Sequence, residues 1–171
     1  MHLSVFSDYS LRVLMYGAIK ETPFQLDEVT TAYGISRHHL GKVVHNLARL
    51  GYLETRRGRG GGIRLAKGPE EIRIGVLVRM CEDQPVIVEC FDPETNRCRI
   101  AGSCKLKGVL AAAMNAFYAT LDKYTLRDLV SGGQRPAMAD ILLRGANLPQ
   151  PEPRPRAAAV PAKRGAPPGD A

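Results

Sequence analysis

The sequence predicts a mainly α-helical protein with one small β-hairpin. Apolar residues recur at the three- and four-residue spacing of helices over much of the first 145 residues. The clearest pair of strand signals flanks an arginine- and glycine-rich segment at residues 56–61. The chain has 171 residues, of which 44% are hydrophobic and 24% charged. This composition is that of a globular protein and excludes disorder throughout.

Length and hydropathy limit the class of protein further. A chain of this size fits one domain with an accessory segment, but not a multidomain enzyme. No run approaches the roughly 18 consecutive apolar residues that a membrane span needs, and no secretion signal is evident. We therefore expect a cytoplasmic protein without a membrane partner.

Three helices are expected near the amino terminus. Ser7 and Asp8 are suited to the N-cap of a first helix. The segment 26–33 predicts a short second helix, which Gly34 ends. Ser36 is a good N-cap for a third helix. Its apolar residues recur at helical spacing and must pack inward: Leu40, Val43, Val44, Leu47 and Leu50.

Two short strands are expected next, at residues 52–55 and 62–66, joined by the basic, glycine-rich segment. A short helix, a glycine turn, a second helix and a basic hairpin follow one another in this order. This order predicts a winged helix-turn-helix domain over residues 1–67.

The positive charge is concentrated in this domain. The formal net charge is +7, and residues 36–67 alone carry eight basic and one acidic side chains. Such a concentration favours a surface that binds double-stranded DNA over a solvated basic face. The third helix would enter the major groove, and the wing would reach the adjacent backbone or minor groove. The predicted DNA-contacting residues are Ser36, Arg37, His38, His39, Lys42, Arg56, Arg57, Arg59, Gly60 and Gly61.

The rest of the chain predicts a connection, a long helix and a tail. Residues 68–104 hold a helix at 74–80 and an irregular cysteine loop. From residue 105 an apolar stripe continues for about five turns: Leu106, Leu110, Ala113, Phe117, Leu121 and Tyr124. Further apolar residues beside this stripe favour packing against a second copy over burial within one subunit, so residues 105–145 are expected to hold a dimerisation helix and a short terminal helix at 135–144. The Pro-rich tail at 146–171 is expected to be disordered.

Four cysteines, Cys81, Cys90, Cys98 and Cys104, fall within 24 residues, unlike a framework of disulfides between distant segments. Three of them lie in the irregular loop, and three thiolates converging from a loop suit an iron–sulfur cluster. Zinc in a structural site is the alternative, although the paired spacing typical of zinc knuckles is absent. Cys81 lies on a predicted apolar helix and is interpreted as a packing residue.

Several segments resemble the iron–sulfur members of the Rrf family of winged-helix regulators, and the resemblance covers residues 1 to about 145. They are residues 6–12, 33–40, 57–65 and 121–129, together with the cysteine loop. The first and last of these are most similar to nitric-oxide-sensing repressors of the family.

The resemblance implies a homodimer with one 4Fe–4S cluster per subunit, or alternatively a 2Fe–2S cluster. It implies that Cys90, Cys98 and Cys104 of one subunit and Asp8 of the other bind the cluster, with Arg12 orienting the carboxylate. The implied function is a transcriptional repressor that releases its operators when nitric oxide nitrosylates the cluster. A regulator responding to iron or cluster status is the alternative, because the seven-residue gap between the first two loop cysteines is shared by iron-responsive relatives.

An enzyme or electron carrier is disfavoured. No glycine-rich nucleotide-binding motif follows a strand, and no paired catalytic acid and base is apparent in the sequence.

Overall fold

The computed structural model of the chain describes residues 3–58, 60–82 and 87–145. Among these residues the elements are α1 (Val5–Lys20), α2 (Leu26–Tyr33), α3 (Arg37–Arg49), β1 (Leu53–Arg56), β2 (Gly62–Leu65), α4 (Ile74–Cys81), a 3-10 turn (Glu89–Phe91), α5 (Lys105–Leu121), α6 (Leu126–Val130) and α7 (Arg135–Arg144). The predicted fold class, mainly α with a hairpin wing, is confirmed. The predicted tail at 146–171 and Arg59 lie outside the described residues.

The predicted start of the first helix is wrong. The N-cap of α1 is Ser4, whose Oγ accepts a hydrogen bond from the backbone N–H of Ser7 at 3.1 Å. Ser7 is 1% exposed and lies inside the helix. Asp8 therefore lies in the first turn of α1, where a carboxylate interacts favourably with the helix dipole.

Helices α2 and α3 form the predicted helix-turn-helix. Gly34 ends α2 with a φ of 65°, a left-handed conformation that costs glycine little. Two residues later Ser36 caps α3. The apolar stripe of α3 is buried as expected at Leu40, Val43, Val44 and Leu47.

The wing is an antiparallel pair of four-residue strands in which Leu53 pairs with Leu65 and Arg56 with Gly62. Phe24 adds a bridge to the same sheet: its N–H donates to the carbonyl of Ile63 at 3.0 Å and its carbonyl accepts from the N–H of Ile63 at 2.8 Å. The end of β2 nearest the wing tip is thereby joined to the residues that precede α2.

The segments that follow the wing pack against α1. Ile72, Leu77 and Leu126 are at most 1% exposed and belong to the same core as Val13 and Leu14 of α1. The core thus continues past residue 67. The boundaries predicted at 67 and 104 stay predictions.

Helix α5 is present as predicted, with 17 residues, but it ends at Leu121, and its apolar stripe does not pack inward along its whole length. None of its residues is buried, and Leu106 and Val109 are 62% and 64% exposed. Only its carboxyl-terminal end, through Tyr118 and Leu121, packs against the core. The amino-terminal half is an apolar helix without a partner in the described part of its own chain.

Candidate nucleic-acid interface and metal centre

The exposed face of α3 carries the predicted DNA-contacting side chains of the helix. Ser36 is the N-cap, and its Oγ accepts a hydrogen bond from the backbone N–H of His39 at 3.4 Å. Arg37 is exposed and forms an ion pair with Asp27 of α2. Lys42 is also exposed and has no ion pair or hydrogen bond within the described residues, so that its ammonium group is available to a phosphate.

Two histidines extend this face. His38 and His39 are exposed, with their ring centroids 6.0 Å apart, and the ring of His39 lies 6.3 Å from that of Tyr9 on α1. Residues of the recognition helix and of the first turns of α1 are therefore neighbours. The ion-pair partner Asp27 was not predicted from the sequence, because its pairing with Arg37 depends on the angle between two helices.

The wing tip is shaped by its glycines. Gly58 and Gly60 adopt φ values of 94° and 75°, which strongly favour glycine. A side chain at Gly61 would overlap the carbonyl oxygen of Arg56. The guanidinium groups of Arg56 and Arg57 are exposed and unpaired within the part of the chain that the structure describes.

A side chain of α2 holds the wing in place. Gln25, the N-cap of α2, donates a hydrogen bond from Nε2 to the carbonyl oxygen of Gly61 at 2.9 Å. Gly62 lies against the same segment, since a Cβ there would be 2.9 Å from the carbonyl oxygen of Phe24. The role of Gln25 is not predicted from the sequence, and no local pattern identifies it, because the two bonded residues are 36 positions apart.

The three loop cysteines are free thiols of intermediate exposure. Cys90 lies in the 3-10 turn, and Cys104 is the N-cap of α5. The backbone N–H of Cys98 donates to Asn96 Oδ1 at 2.9 Å. Within residues 3–58, 60–82 and 87–145, no three His, Cys, Asp or Glu side chains are arranged to hold a metal ion, so the chain alone does not bring the predicted ligands together.

The chemistry of this donor set nevertheless fits an iron–sulfur cluster. Three accessible thiols in one loop provide soft ligands, and none is consumed by a disulfide. Cys81 differs from them, because it is 7% exposed and belongs to the core. Burial raises the pKa of its thiol, which disfavours the thiolate that a metal needs. The structure thus supports Cys81 as a packing residue.

Asp8 and Arg12 form a bidentate ion pair one turn apart on α1. Arg12 Nε donates to Asp8 Oδ1 at 2.9 Å, and its second nitrogen lies 2.9 Å from Oδ2. The hydrogen bond to Asp8 raises the pKa of the Arg12 guanidinium. That guanidinium also lies 5.6 Å from the ring centroid of Tyr33, the last residue of α2. Burial raises the pKa of the Tyr33 hydroxyl to about 12.

No helix in the described residues has the length and apolar character needed to cross a membrane.

The helix-turn-helix, the wing and the exposed basic residues define a DNA-binding protein of the winged-helix class. The chain belongs to the Rrf2 family, described as iron-dependent transcriptional regulators, which matches residues 3–132. Two relatives named HTH-type transcriptional regulator NsrR agree with this. That of Halalkalibacterium halodurans is 49% identical over 133 residues, 77% of this chain and 91% of the relative. That of Bacillus subtilis is 53% identical over 133 residues, 76% of this chain and 90% of the relative.

Solved structures show the same fold. The structure of CymR, the global cysteine regulator of B. subtilis, has a TM-score of 0.60 and 26% identity, covering 75% of this chain and 95% of that one. T. potens IscR has a TM-score of 0.59 at 22% identity, covering 76% and 86%. Like its named relatives, this chain is a transcriptional regulator and not an enzyme.

Proposed function

We propose that this regulator is a homodimeric repressor that carries a 4Fe–4S cluster and releases its operators in response to nitric oxide. The observation that carries the proposal is the set of three free, accessible thiols in one loop of a chain that is about half identical to regulators named NsrR. Cys90, Cys98 and Cys104 would hold the cluster, and Asp8 of the partner subunit would complete the ligand set.

The exposed half of α5 supports a dimer. Leu106 and Val109 are both largely exposed. A large contiguous apolar patch on the surface of a protein usually marks a site of interaction with a partner. The carboxyl-terminal end of the same helix is fixed to the core. A second copy packed along the free half would join two DNA-binding domains. Their recognition helices would need to be about 34–36 Å apart to read successive major grooves.

The cross-subunit role of Asp8 is supported by its position on α1. Its carboxylate is 45% exposed and is not grouped with the described cysteines of its own chain for metal binding. When bound, the cluster would supply iron at which nitric oxide can replace a protein ligand. In this proposal Asp8 would bind the partner subunit's cluster while Arg12 of its own helix orients the carboxylate.

Arg12 provides a physical path from Asp8 to the recognition helix. Its guanidinium binds Asp8 and also contacts the ring of Tyr33. Tyr33 is followed directly by the Gly34 turn and by Ser36, the N-cap of α3. Release of Asp8 from the cluster would thus alter the contacts of Arg12 with Asp8 and Tyr33, at the turn that sets the direction of α3.

Anaerobic isolation tests the cluster. We expect wild type to be coloured, with about four iron and four sulfide per subunit, and Cys98→Ala to lose both. Cys81→Ala is the matched control and should retain the cluster. Colourless wild type with stoichiometric zinc would contradict the proposal. For the partner ligand, Asp8→Ala should lose its cluster faster than wild type, and an unchanged rate together with an unchanged nitric oxide response would remove Asp8 from the ligand set.

A regulator that responds to iron or cluster status is the second candidate. It is favoured by the description of the family as iron-dependent and by the seven residues between Cys90 and Cys98. The two candidate functions are distinguished by measuring operator binding while cluster-loaded protein is exposed either to stoichiometric nitric oxide or to an iron chelator. Release by chelation alone would favour this second candidate.

A further inference from the structure

Four glycines lie inside α-helices in the described part of the chain, and two of them are explained by packing within it. A methyl group at Gly17 would lie 3.0 Å from the ring of Phe24. A methyl group at Gly75 would overlap the carboxylate of Asp122 and lie 2.9 Å from its backbone nitrogen. At both positions the chain itself excludes a larger residue. The third, Gly108, lies on α5, where a second copy is already proposed.

The fourth glycine, Gly41, has no such explanation. It is in the interior of α3, five residues after the N-cap, and a methyl group added to its Cα would have nothing within 4 Å in the described chain. It does not adopt a positive φ. Glycine is the least favourable residue for a helix interior after proline, and alanine is the most favourable. Neither the backbone nor the packing of the described chain therefore requires glycine here.

Gly41 lies beside exposed side chains of α3. His38, Lys42 and His45 are exposed and flank it on α3, with His38 and His45 three and four residues away along the same face. Leu40, Val43, Val44 and Leu47 are buried on the side of α3 that faces the core. Gly41 is half-buried and lies at the border between that side and the exposed basic face of the helix. It contributes to a shallow concavity lined by Leu26, Arg37, His38, Gly41, Lys42 and His45.

We propose that Gly41 is a specificity-determining residue, at which α3 approaches the base edges closely enough to receive a thymine methyl group. The inference deepens the DNA-binding function and rests on α3 entering the major groove. Glycine permits close approach of the helix backbone. Leu26 offers an apolar wall to the concavity, while Arg37 and Lys42 place cations beside it. Apolar contact with the C5-methyl group is how a protein distinguishes thymine in this groove.

The first test is Gly41→Ala in the full-length, cluster-loaded protein, with an operator selected by wild type from a pool of random duplexes. The substitution should raise Tm by about 2–4 °C, because alanine favours the helix. It should weaken operator binding about tenfold or more, because the added methyl group occupies the contact surface. Binding to random-sequence DNA should change less than about twofold, since phosphate contacts are retained.

Ala137→Gly is the matched control, because Ala137 is exposed on α7 and lies outside the proposed interface. It should lower Tm and leave operator affinity unchanged. Operator affinity of Gly41→Ala within twofold of wild type, or a lowered Tm, would overturn the assignment of Gly41 while leaving DNA binding intact. Failure of wild type to select any sequence would overturn the DNA-binding function as well.

Replacing single operator thymines by deoxyuridine tests the partner of Gly41. Removal of one contacted methyl group should weaken wild-type binding about fourfold. The same replacement should cost the Gly41→Ala protein nothing further, because that protein no longer makes the contact. If no replacement costs wild type more than twofold, or if the two effects are additive, the thymine assignment is wrong.

Discussion

Arg79 and Asp122 join α4 to the end of α5 through two hydrogen bonds. Arg79 Nη1 donates to Asp122 Oδ1 at 2.8 Å, and Nη2 donates to Oδ2 at 2.6 Å. The guanidinium also lies 4.6 Å from the ring centroid of Tyr118 on α5. This fork-to-fork geometry defines direction as well as distance. The pair thus holds the carboxyl-terminal end of α5 against α4.

The stability contributed by this pair should depend on pH. The hydrogen bond from Arg79 holds the pKa of Asp122 below its ordinary value of 3.8. A carboxyl group whose pKa is lowered on folding stabilises the protein above its unfolded pKa, and the contribution is lost as the pH falls through the folded pKa. The difference in Tm between iron-free wild type and Asp122→Asn should be largest above the unfolded pKa of the carboxyl group and should shrink as the pH falls through its lowered folded pKa.

Asp140→Asn is the matched control, because Asp140 forms an exposed ion pair with Arg144 within α7. A Tm difference for Asp122→Asn that stays constant over this pH range would show that the Arg79 pair does not contribute through charge.

Gln25→Ala should weaken DNA binding without removing any group that contacts DNA in our account. The hydrogen bond from Gln25 to Gly61 fixes the wing tip relative to α2. Loss of one such bond corresponds to a weakening of roughly 2- to 10-fold in operator affinity. Titrations by fluorescence anisotropy measure this. Gln134→Ala, which removes an exposed glutamine at the start of α7, should bind as wild type. Equal affinities for both variants and wild type would show that the wing position is not held by Gln25.

Arg56→Ala and Arg57→Ala should each change the salt dependence of operator binding. The exposed, unpaired guanidinium groups are placed to neutralise phosphates. Removing one phosphate contact should reduce the slope of log affinity against log salt concentration by about 0.9. For about six contacts the wild-type slope would be about −5. Arg144→Ala, on α7, is the control for the loss of one positive charge. An unchanged slope in both wing variants would place the wing away from the DNA backbone.

A charge on the free half of α5 should separate the subunits. In the proposed dimer, Leu106 and Val109 are covered by a second copy, and a buried unpaired carboxylate is strongly unfavourable there. Leu106→Asp with Val109→Asp should shift the protein from dimer to monomer in sedimentation velocity at micromolar concentration. Leu143→Asp is the matched control, because Leu143 is an exposed leucine of α7. A dimer unaffected by the double substitution would locate the subunit interface elsewhere.

Features determined by nearby residues could be predicted from the sequence. Ser36 was identified as the cap of α3, and its apolar stripe as the buried face, because a cap and a helical repeat are local. The wing strands were predicted to within about one residue for the same reason. The start of α1 was missed because Ser7, a good cap by residue type, is buried inside the helix while Ser4 makes the capping bond.

Features that depend on distant residues could not be predicted in this way. Helix α6 has only five residues, and the N–H of Leu126 donates to the carbonyl of Ile72, far earlier in the chain, at 2.8 Å. The contact of Gln25 with the wing is similarly remote. The cluster site depends on more than one chain in our proposal, and the described residues of a single chain do not assemble its ligands. The resemblance to a family, rather than local physics, indicated Asp8.

The most direct measurement is the operator affinity of anaerobically prepared protein before and after stoichiometric nitric oxide. Cluster-loaded wild type should bind the selected operator tightly, and exposure to nitric oxide should weaken that binding at least about tenfold, which corresponds to about 1.4 kcal/mol. Iron-free protein should bind the operator as weakly as the cluster-loaded protein does after exposure to nitric oxide. Iron-free protein that occupies the operator with the affinity of the loaded form would contradict the account.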